Sequence, residues 1–152
     1  GAIAYHRFMN NYFFDIADPI VESKGEIYQY VGDEVVISWK KKKGIKNSNC
    51  VECFFRIYRR IESLKEEYMK EFGIVPGFKA GVHIGEAVIG EIGDAKKEIA
   101  FMGDVLNTTS RIQAQAKAWN KPLLISEDLF LILNSSGQLN SHYIIEFMGK
   151  TK

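Results

Sequence analysis

Residues 25–38 read GEIYQYVGDEVVIS, and they predict the hairpin from which the rest of the fold can be worked out. The runs EIYQYV and EVVISW are rich in β-branched and aromatic residues, and Gly32-Asp33 separates them as a two-residue turn of type II′. Because side chains alternate along a strand, the hairpin should have one core face and one open face. The predicted core face holds Tyr28, Tyr30, Val35, Ile37 and Trp39, and the open face holds Ile27, Gln29, Val31, Glu34, Val36 and Ser38. Turn chemistry alone would explain Asp33 at the tip, so a further role for it stays open at this point.

The segments on either side of the hairpin alternate between helical and extended patterns. Apolar spacing predicts helices over about 3–23, 48–72 and 103–119, the last with Asp104 as N-cap, and a polar loop over 40–49. Residues 78–93 read FKAGVHIGEAVIGEIG and predict a second hairpin, and IAFM at 99–102 predicts a short strand. PLLIS, EDLFLIL and HYIIEFMG then predict a strand, a short helix and a last strand. This order indicates an α/β (α+β) sandwich of the ferredoxin-like kind, with a mostly antiparallel central sheet and helices on one face.

Composition limits the class of protein. The chain has 152 residues, of which 46% are hydrophobic, and a formal net charge of +1, so we expect one compact domain and no nucleic-acid partner. No apolar run approaches the roughly 20 residues that cross a bilayer, and a signal-peptide pattern is lacking, so we expect a cytoplasmic location.

Cys50 and Cys53 form a lone CxxC without further ligands at zinc spacing, and are interpreted as reduced helix cysteines.

Two further patterns could carry chemistry. Asn107 and Arg111 are four residues apart on a predicted helix, so they share a face, while Val105, Ile112, Ala116 and Trp119 form a separate core stripe. The planar guanidinium of arginine matches phosphate oxygens, although a solvated pair is equally compatible with this pattern. Gly81 and Gly85 flank His83 in a predicted strand, where glycine indicates close approach of a backbone or a ligand. His83 itself is interpreted as a structural histidine.

Together these pieces resemble the catalytic domain of class III nucleotide cyclases, the adenylate and guanylate cyclases. The resemblance rests on GEIYQYVGDEVV at 25–36, AGVHIGEAVIGEIG at 80–93 and FMGDVLNTTSRIQ at 101–113, in this order along nearly the whole chain. It implies attack of a ribose 3′-hydroxyl on the α-phosphorus of a nucleoside triphosphate, assisted by two divalent metal ions, Mg²⁺ or Mn²⁺. Asp33 is then one of two metal-binding aspartates, and a carboxylate at a hairpin tip suits such a cation.

The same resemblance implies roles for the other motif residues. Asn107 would orient the ribose and Arg111 would stabilise charge on the α-phosphate, while Gln29, Gly32 and Ala100 would contact the substrate. Family members work as head-to-tail homodimers with shared sites. Asp33 would therefore serve one site, and Gln29, Asn107 and Arg111 of the same chain would serve the other.

Base selection is where the sequence departs from the family pattern. Adenylate cyclases commonly carry a lysine at the position of Gln29 and an aspartate or threonine at that of Ala100, whereas guanylate cyclases usually carry a glutamate and a small polar residue. A glutamine amide can pair with either base by flipping, and alanine offers no side-chain hydrogen bond. We therefore expect modest selectivity. ATP is favoured over GTP because bacterial-looking domains of the family that this chain resembles mostly make cyclic AMP.

The resemblance also implies expectations about the extent of the catalytic domain and about the rest of the full-length protein. We expect residues 1–152 to be one catalytic domain truncated at both ends and inactive by itself, because the other metal aspartate and a phosphate-binding lysine would lie outside them. Full-length family members are often tethered to membrane helices or sensor domains. The run Lys40–Lys43 is interpreted as a solvated loop or as a contact with an anionic membrane surface.

Three alternatives stay open at the level of sequence. One is a guanylate cyclase acting on GTP. Another is a degenerate module that binds nucleotide or only dimerises, which the departures at Gln29 and Ala100 would favour. The most remote is a diguanylate cyclase with a GGDEF-type hairpin, in which Glu34 of VGDEVV would also bind metal, although MGDVLNTTSR has no counterpart in that family.

Overall fold

The computed structural model describes residues 1–85, 88–92, 97–101, 103–139 and 143, with the backbone alone at 88–92, 97–101 and 103. Contacts divide the chain into two compact units. The first is Gly1–Phe78 with the segment that starts at Gln138, and the second includes Lys79–Gly137. The predicted last strand at 142–149 lies outside the described residues, Tyr143 apart. Within the described part, no helix combines the length and the apolarity needed to cross a membrane.

The first unit is built around α1, which spans Ala2–Glu22. The helix ends where the sequence predicts, because Lys24 adopts a φ of +64° and the Gly25 amide donates a hydrogen bond to the Ile20 carbonyl, 3.0 Å away. Its inner face packs against α3 (Asn49–Ser63) and α4 (Lys65–Phe72). The buried core of this unit consists of Tyr12, Ile16, Ile20, Cys53, Ile57, Ile61 and Tyr68.

The hairpin consists of β1 (Glu26–Val31) and β2 (Glu34–Ser38) in antiparallel pairing. Near the turn the pairing is as predicted, with Val31 opposite Glu34 and Gln29 opposite Val36. Farther from the turn the predicted pairing is wrong, because a register shift between Ile27 and Gln29 brings Ile27 opposite Ile37. A β-bulge of this kind adds one residue to a strand and increases its twist. Val35, Ile37 and Trp39 pack against the core as predicted, whereas Tyr28 and Tyr30 of the predicted core face are exposed.

Two predicted segments of the first unit differ in the structure. Residues 40–49 are a folded segment, with the short helix α2 at Lys41–Ile45 and a 3₁₀ turn at Lys46–Ser48. The single helix predicted for 48–72 is interrupted at Leu64, whose φ of −104° and ψ of 6° are not helical. The side chain of Leu64 packs against the core at this break. Tertiary packing therefore overrides a helical pattern that contains no glycine or proline here.

Both cysteines lie in the first turns of α3, buried and free. Burial is the main cause that raises the pKa of Cys50 and of Cys53 to about 11. Thiols with such values are protonated at neutral pH and react slowly. The structure thus agrees with the interpretation of the CxxC pair as ordinary helix cysteines.

The second unit contains α5 (Gly103–Ala118), α6 (Glu127–Ser135) and four strands. β3 (Ala80–Val82) pairs in parallel with β6 (Leu123–Ile125), whereas β4 (Val88–Ile92) pairs antiparallel with β5 (Lys97–Phe101). The predicted pairing of the two strands within 78–93 is therefore wrong, and the second hairpin is formed by β4 and β5. The strands of the described residues form three two-stranded sheets, two of them antiparallel.

Gly81 allows α5 to lie directly on β3. A Cβ atom at this position would lie 2.5 Å from the backbone nitrogen of Gln113, a distance shorter than Cβ atoms show in real proteins. At Gly85 a Cβ atom would meet Cγ2 of Val105 at 2.7 Å, also on α5. The glycines of this segment therefore permit the close approach of the chain's own helix.

We expect Gly81→Ala to lower the free energy of unfolding by about 1 to 3 kcal/mol, because the helix backbone must move to admit the methyl group. Gly77→Ala is the matched control, since no atom lies within 4 Å of a Cβ atom built there. Urea denaturation of both variants measures the difference. Equal stability of Gly81→Ala and wild type would show that α5 does not depend on this contact.

Candidate functional site

Asp33 lies at the exposed tip of the β1–β2 hairpin. Gly32 before it has a φ of +60°, whereas Asp33 is not among the residues of positive φ, as in the predicted type II′ turn. Among the described residues, no ion pair or hydrogen bond engages the Asp33 carboxylate. A carboxylate that is fixed at a turn and open to solvent fits the oxygen ligand that Mg²⁺ or Mn²⁺ prefers.

A complete metal site is not formed by Asp33 alone. Over the residues that the structure describes, no group of three histidine, cysteine, aspartate or glutamate side chains is arranged to hold a metal ion. The role of Asp33 as one ligand of a divalent cation stays a prediction. Other ligands would have to come from the substrate, from water or from other protein residues.

Gln29 lies on β1 at the edge of the bulge, four residues before Asp33. It is half-buried and stands opposite Val36, so the predicted cross-strand neighbour is confirmed. Ala100 lies on β5 opposite Ile89, a position that is described for the backbone alone. The hairpin with Gln29, Gly32 and Asp33 belongs to the first compact unit, and Ala100 belongs to the second.

Asn107 and Arg111 both lie exposed on α5, four residues apart. Ile112 and Ala116 are buried, so the predicted division of this helix into a polar face and a core stripe is confirmed. Arg111 Nη2 donates to Thr108 Oγ1 at 3.2 Å, which leaves further guanidinium donors for a ligand. The structure thus presents an amide and a guanidinium together on one well-supported helix face.

The support for this face comes from contacts that sequence spacing does not reveal. The α5 backbone lies on Gly81, and Val105 lies against Gly85, as described above. Gly81 and Gly85 lie 32 and 20 positions before the residues of α5 that they meet, Gln113 and Val105. Glycines in a predicted strand indicate that some backbone or ligand comes close to the strand, but the sequence does not show that this is the backbone of α5.

His83 has a structural partner in the second unit. Its Nδ1 atom lies 2.7 Å from Oγ of Ser126, the N-cap of α6, and that hydroxyl oxygen also accepts a bond from the Leu129 amide at 3.2 Å. Burial lowers the pKa of His83, with Asp128 acting in the opposite direction. A neutral imidazole that joins the end of β3 to the start of α6 agrees with the structural role predicted for His83.

Comparison with known proteins identifies one family over almost the whole chain. The family model described as "Adenylate and Guanylate cyclase catalytic domain" matches residues 2–152. "Adenylate cyclase 2" of Rhizobium meliloti (strain 1021) is 35% identical over 129 residues, which are 85% of this chain and 36% of that protein. "Photoactivated adenylate cyclase subunit beta-like protein FB" of Euglena gracilis is 40% identical over 55 residues, which are 36% of this chain and 6% of that protein.

Solved structures match the fold. The structure of a bacterial light-regulated adenylyl cyclase has a TM-score of 0.68 and 18% identity, and the match covers 87% of this chain and 39% of that one. The guanylyl cyclase Cya2 has a TM-score of 0.67 and 17% identity, and covers 100% of this chain and 78% of that one. These likenesses confirm the predicted α/β (α+β) fold class. The roles of Gln29, Gly32, Asp33, Ala100, Asn107 and Arg111 stay predictions.

Proposed function

Since the chain belongs to the family of adenylate and guanylate cyclase catalytic domains, we propose that its full-length protein converts ATP into 3′,5′-cyclic AMP and pyrophosphate. The proposal concerns the full-length protein because the chain spans only 36% of "Adenylate cyclase 2" of Rhizobium meliloti. The observation that carries it is the pair Asn107 and Arg111 on the exposed face of α5, together with an unpartnered Asp33 at the hairpin tip among the described residues.

The chain's own residues would act by positioning and by electrostatics. Asp33 would hold a divalent metal ion, which when bound neutralises phosphate charge and supports attack by the 3′-hydroxyl. Arg111 would donate to the oxygens of the α-phosphate as negative charge develops there, and its place on a packed helix means that little reorganisation is required. Asn107, one turn earlier, would orient the ribose so that the 3′-hydroxyl faces the α-phosphorus.

The site would be shared between two copies of the chain. Asp33 would serve one site of a head-to-tail homodimer, and Gln29, Asn107 and Arg111 of the same chain would serve the other, so a monomer would be inactive. Two such sites per dimer follow from two-fold symmetry. We also propose that residues 1–152 form one catalytic domain in the cytoplasm. The Euglena relatives are named photoactivated cyclases, which favours a sensor domain elsewhere in the protein.

ATP is the preferred substrate in this proposal because the relatives that match over most of the chain are named adenylate cyclases. GTP is the alternative, since Gln29 and Ala100 match neither the residue pair typical of adenylate cyclases nor the pair typical of guanylate cyclases. The glutamine amide can also pair with either base by flipping. The family match over residues 2–152 favours both over a diguanylate cyclase.

We expect the full-length protein with Mn²⁺ to use ATP faster than GTP, by less than about 10²-fold, because Gln29 rejects neither base strongly. Initial rates at equal nucleotide concentration measure this ratio. Gln29→Lys should raise the ratio and Gln29→Glu should lower it, which makes the two variants a matched pair. A clear preference of the wild-type protein for GTP would overturn the choice of ATP. Nucleotide binding without turnover would instead identify a degenerate module.

A further inference from the structure

The most lysine-rich stretch of the sequence contains none of the candidate site residues. Five lysines occur within seven residues, and no acidic residue occurs between Glu34 and Glu52. The side chains of all five are exposed, and among the described residues none of them forms an ion pair. We call this set the lysine patch: Lys40, Lys41, Lys42, Lys43 and Lys46.

The lysine patch is carried by a folded segment. Lys41–Ile45 form α2, whose buried Gly44 faces the Trp39 side chain, with Trp39 Cβ 2.9 Å from the position of an added Cβ atom. Trp39 Nε1 donates to the Ser23 carbonyl at 2.8 Å, and Asn49 Nδ2 donates to the Lys43 carbonyl at 2.9 Å. The backbone is thus anchored on its inner side, so the lysines are held together at one place on the surface.

Charge elsewhere in the chain makes this patch distinctive. The chain has 20 basic and 19 acidic residues, so outside the patch 15 basic residues stand against 19 acidic ones. The positive charge is therefore local, on a protein that is otherwise net acidic. The five ammonium groups form no ion pair within the described part of the chain, so they repel one another and together attract anions from outside.

We propose that the lysine patch docks the protein peripherally on an anionic phospholipid surface. A helix of five residues is only about 7.5 Å long, and flexible lysine stems allow its ammonium groups to gather on one side, toward a plane of charged headgroups. A nucleic acid would require contacts along an extended track, where the acidic remainder of the chain would be repelled. Clusters of four to eight basic residues are typical of contacts with phosphatidylserine, where each lysine strengthens binding roughly fivefold.

Vesicle sedimentation with the purified full-length protein tests this proposal. We expect binding to phosphatidylcholine vesicles that contain about 30% phosphatidylserine and none to pure phosphatidylcholine. The bound fraction should fall sharply between about 0.1 and 0.5 M salt, because screening shortens the reach of exposed charges. Combining Lys40→Gln, Lys41→Gln, Lys42→Gln and Lys43→Gln should weaken binding roughly 10²- to 10³-fold while leaving the cyclase rate unchanged.

The matched control removes the same number of charges from the exposed side of α3 and α4, by Arg59→Gln, Arg60→Gln, Lys65→Gln and Lys70→Gln. This control should bind vesicles as the wild type does. Equal binding by the lysine-patch variant and the wild type would overturn the proposal. So would equal losses in both variants, or binding of duplex DNA under conditions in which the vesicles are not bound.

Discussion

Arg111→Ala is expected to lower the turnover of the full-length protein about 10²- to 10³-fold. Loss of one preorganised hydrogen-bond donor to a group on which charge develops usually has an effect of this size. The loss should appear in kcat, because the interaction strengthens as charge develops on the α-phosphate. The fold should survive, since Arg111 is exposed and donates a hydrogen bond to Thr108 on the same helix. Steady-state kinetics with ATP and Mn²⁺, together with a thermal unfolding curve, measure both parts.

Two further variants make the result specific to Arg111. Arg60→Ala removes an exposed arginine from α3 and should leave turnover unchanged. Arg111→Lys keeps the charge but loses the planar fork of donors, so it should recover only part of the lost rate. Wild-type rates in a folded Arg111→Ala protein would show that this residue does not stabilise the transition state.

Asp33→Asn is expected to reduce metal-dependent turnover by about 10³-fold or more, because a metal ligand supplies several kcal/mol of charge stabilisation. The substitution preserves size, and both residues suit a turn, so the hairpin should be retained. Mn²⁺ binding in the presence of nucleotide, followed by electron paramagnetic resonance, should weaken in parallel with the rate. That second measurement separates loss of a metal ligand from a general disturbance of the site.

Glu34→Gln provides the control next to Asp33 on the same hairpin. Glu34 begins β2 and would bind metal only if the hairpin worked as in diguanylate cyclases. We expect its substitution to leave turnover within a few-fold of the wild type. A loss as large as that of Asp33→Asn would favour the diguanylate cyclase mechanism, and full activity of Asp33→Asn would exclude Asp33 as a metal ligand.

The sequence predicts correctly those features of the fold that depend on neighbouring residues, namely the pairing next to a tight turn and the buried stripe of a helix. The turn at Gly32-Asp33 fixes the register of its neighbours, so the pairing of Gln29 with Val36 followed from the sequence. The stripe of Ile112 and Ala116 likewise placed Asn107 and Arg111 on the opposite, exposed face of α5. These are the positions at which the candidate site is best defined.

Contacts between distant segments determined what the sequence could not predict. The parallel pairing of β3 with β6 joins strands separated by the whole of α5, and Gly81 lies against that helix only in the folded chain. The break at Leu64 arises from packing, without a glycine or proline that would indicate it. The helix α2 forms in a run of lysines without an apolar period, where the buried Gly44 packs against Trp39. The preferred base could also not be derived from Gln29, because its amide both donates and accepts hydrogen bonds and can therefore pair with either base.

The most direct test of the shared site mixes two inactive variants of the full-length protein. Asp33→Asn and Arg111→Ala, each inactive alone, would form mixed dimers in which one site carries both substitutions and the other carries neither. Random pairing should therefore restore about a quarter of wild-type turnover with ATP and Mn²⁺. If the mixture showed no more activity than the separate variants, although sedimentation confirmed mixed dimers, Asp33 and Arg111 would not act across two chains.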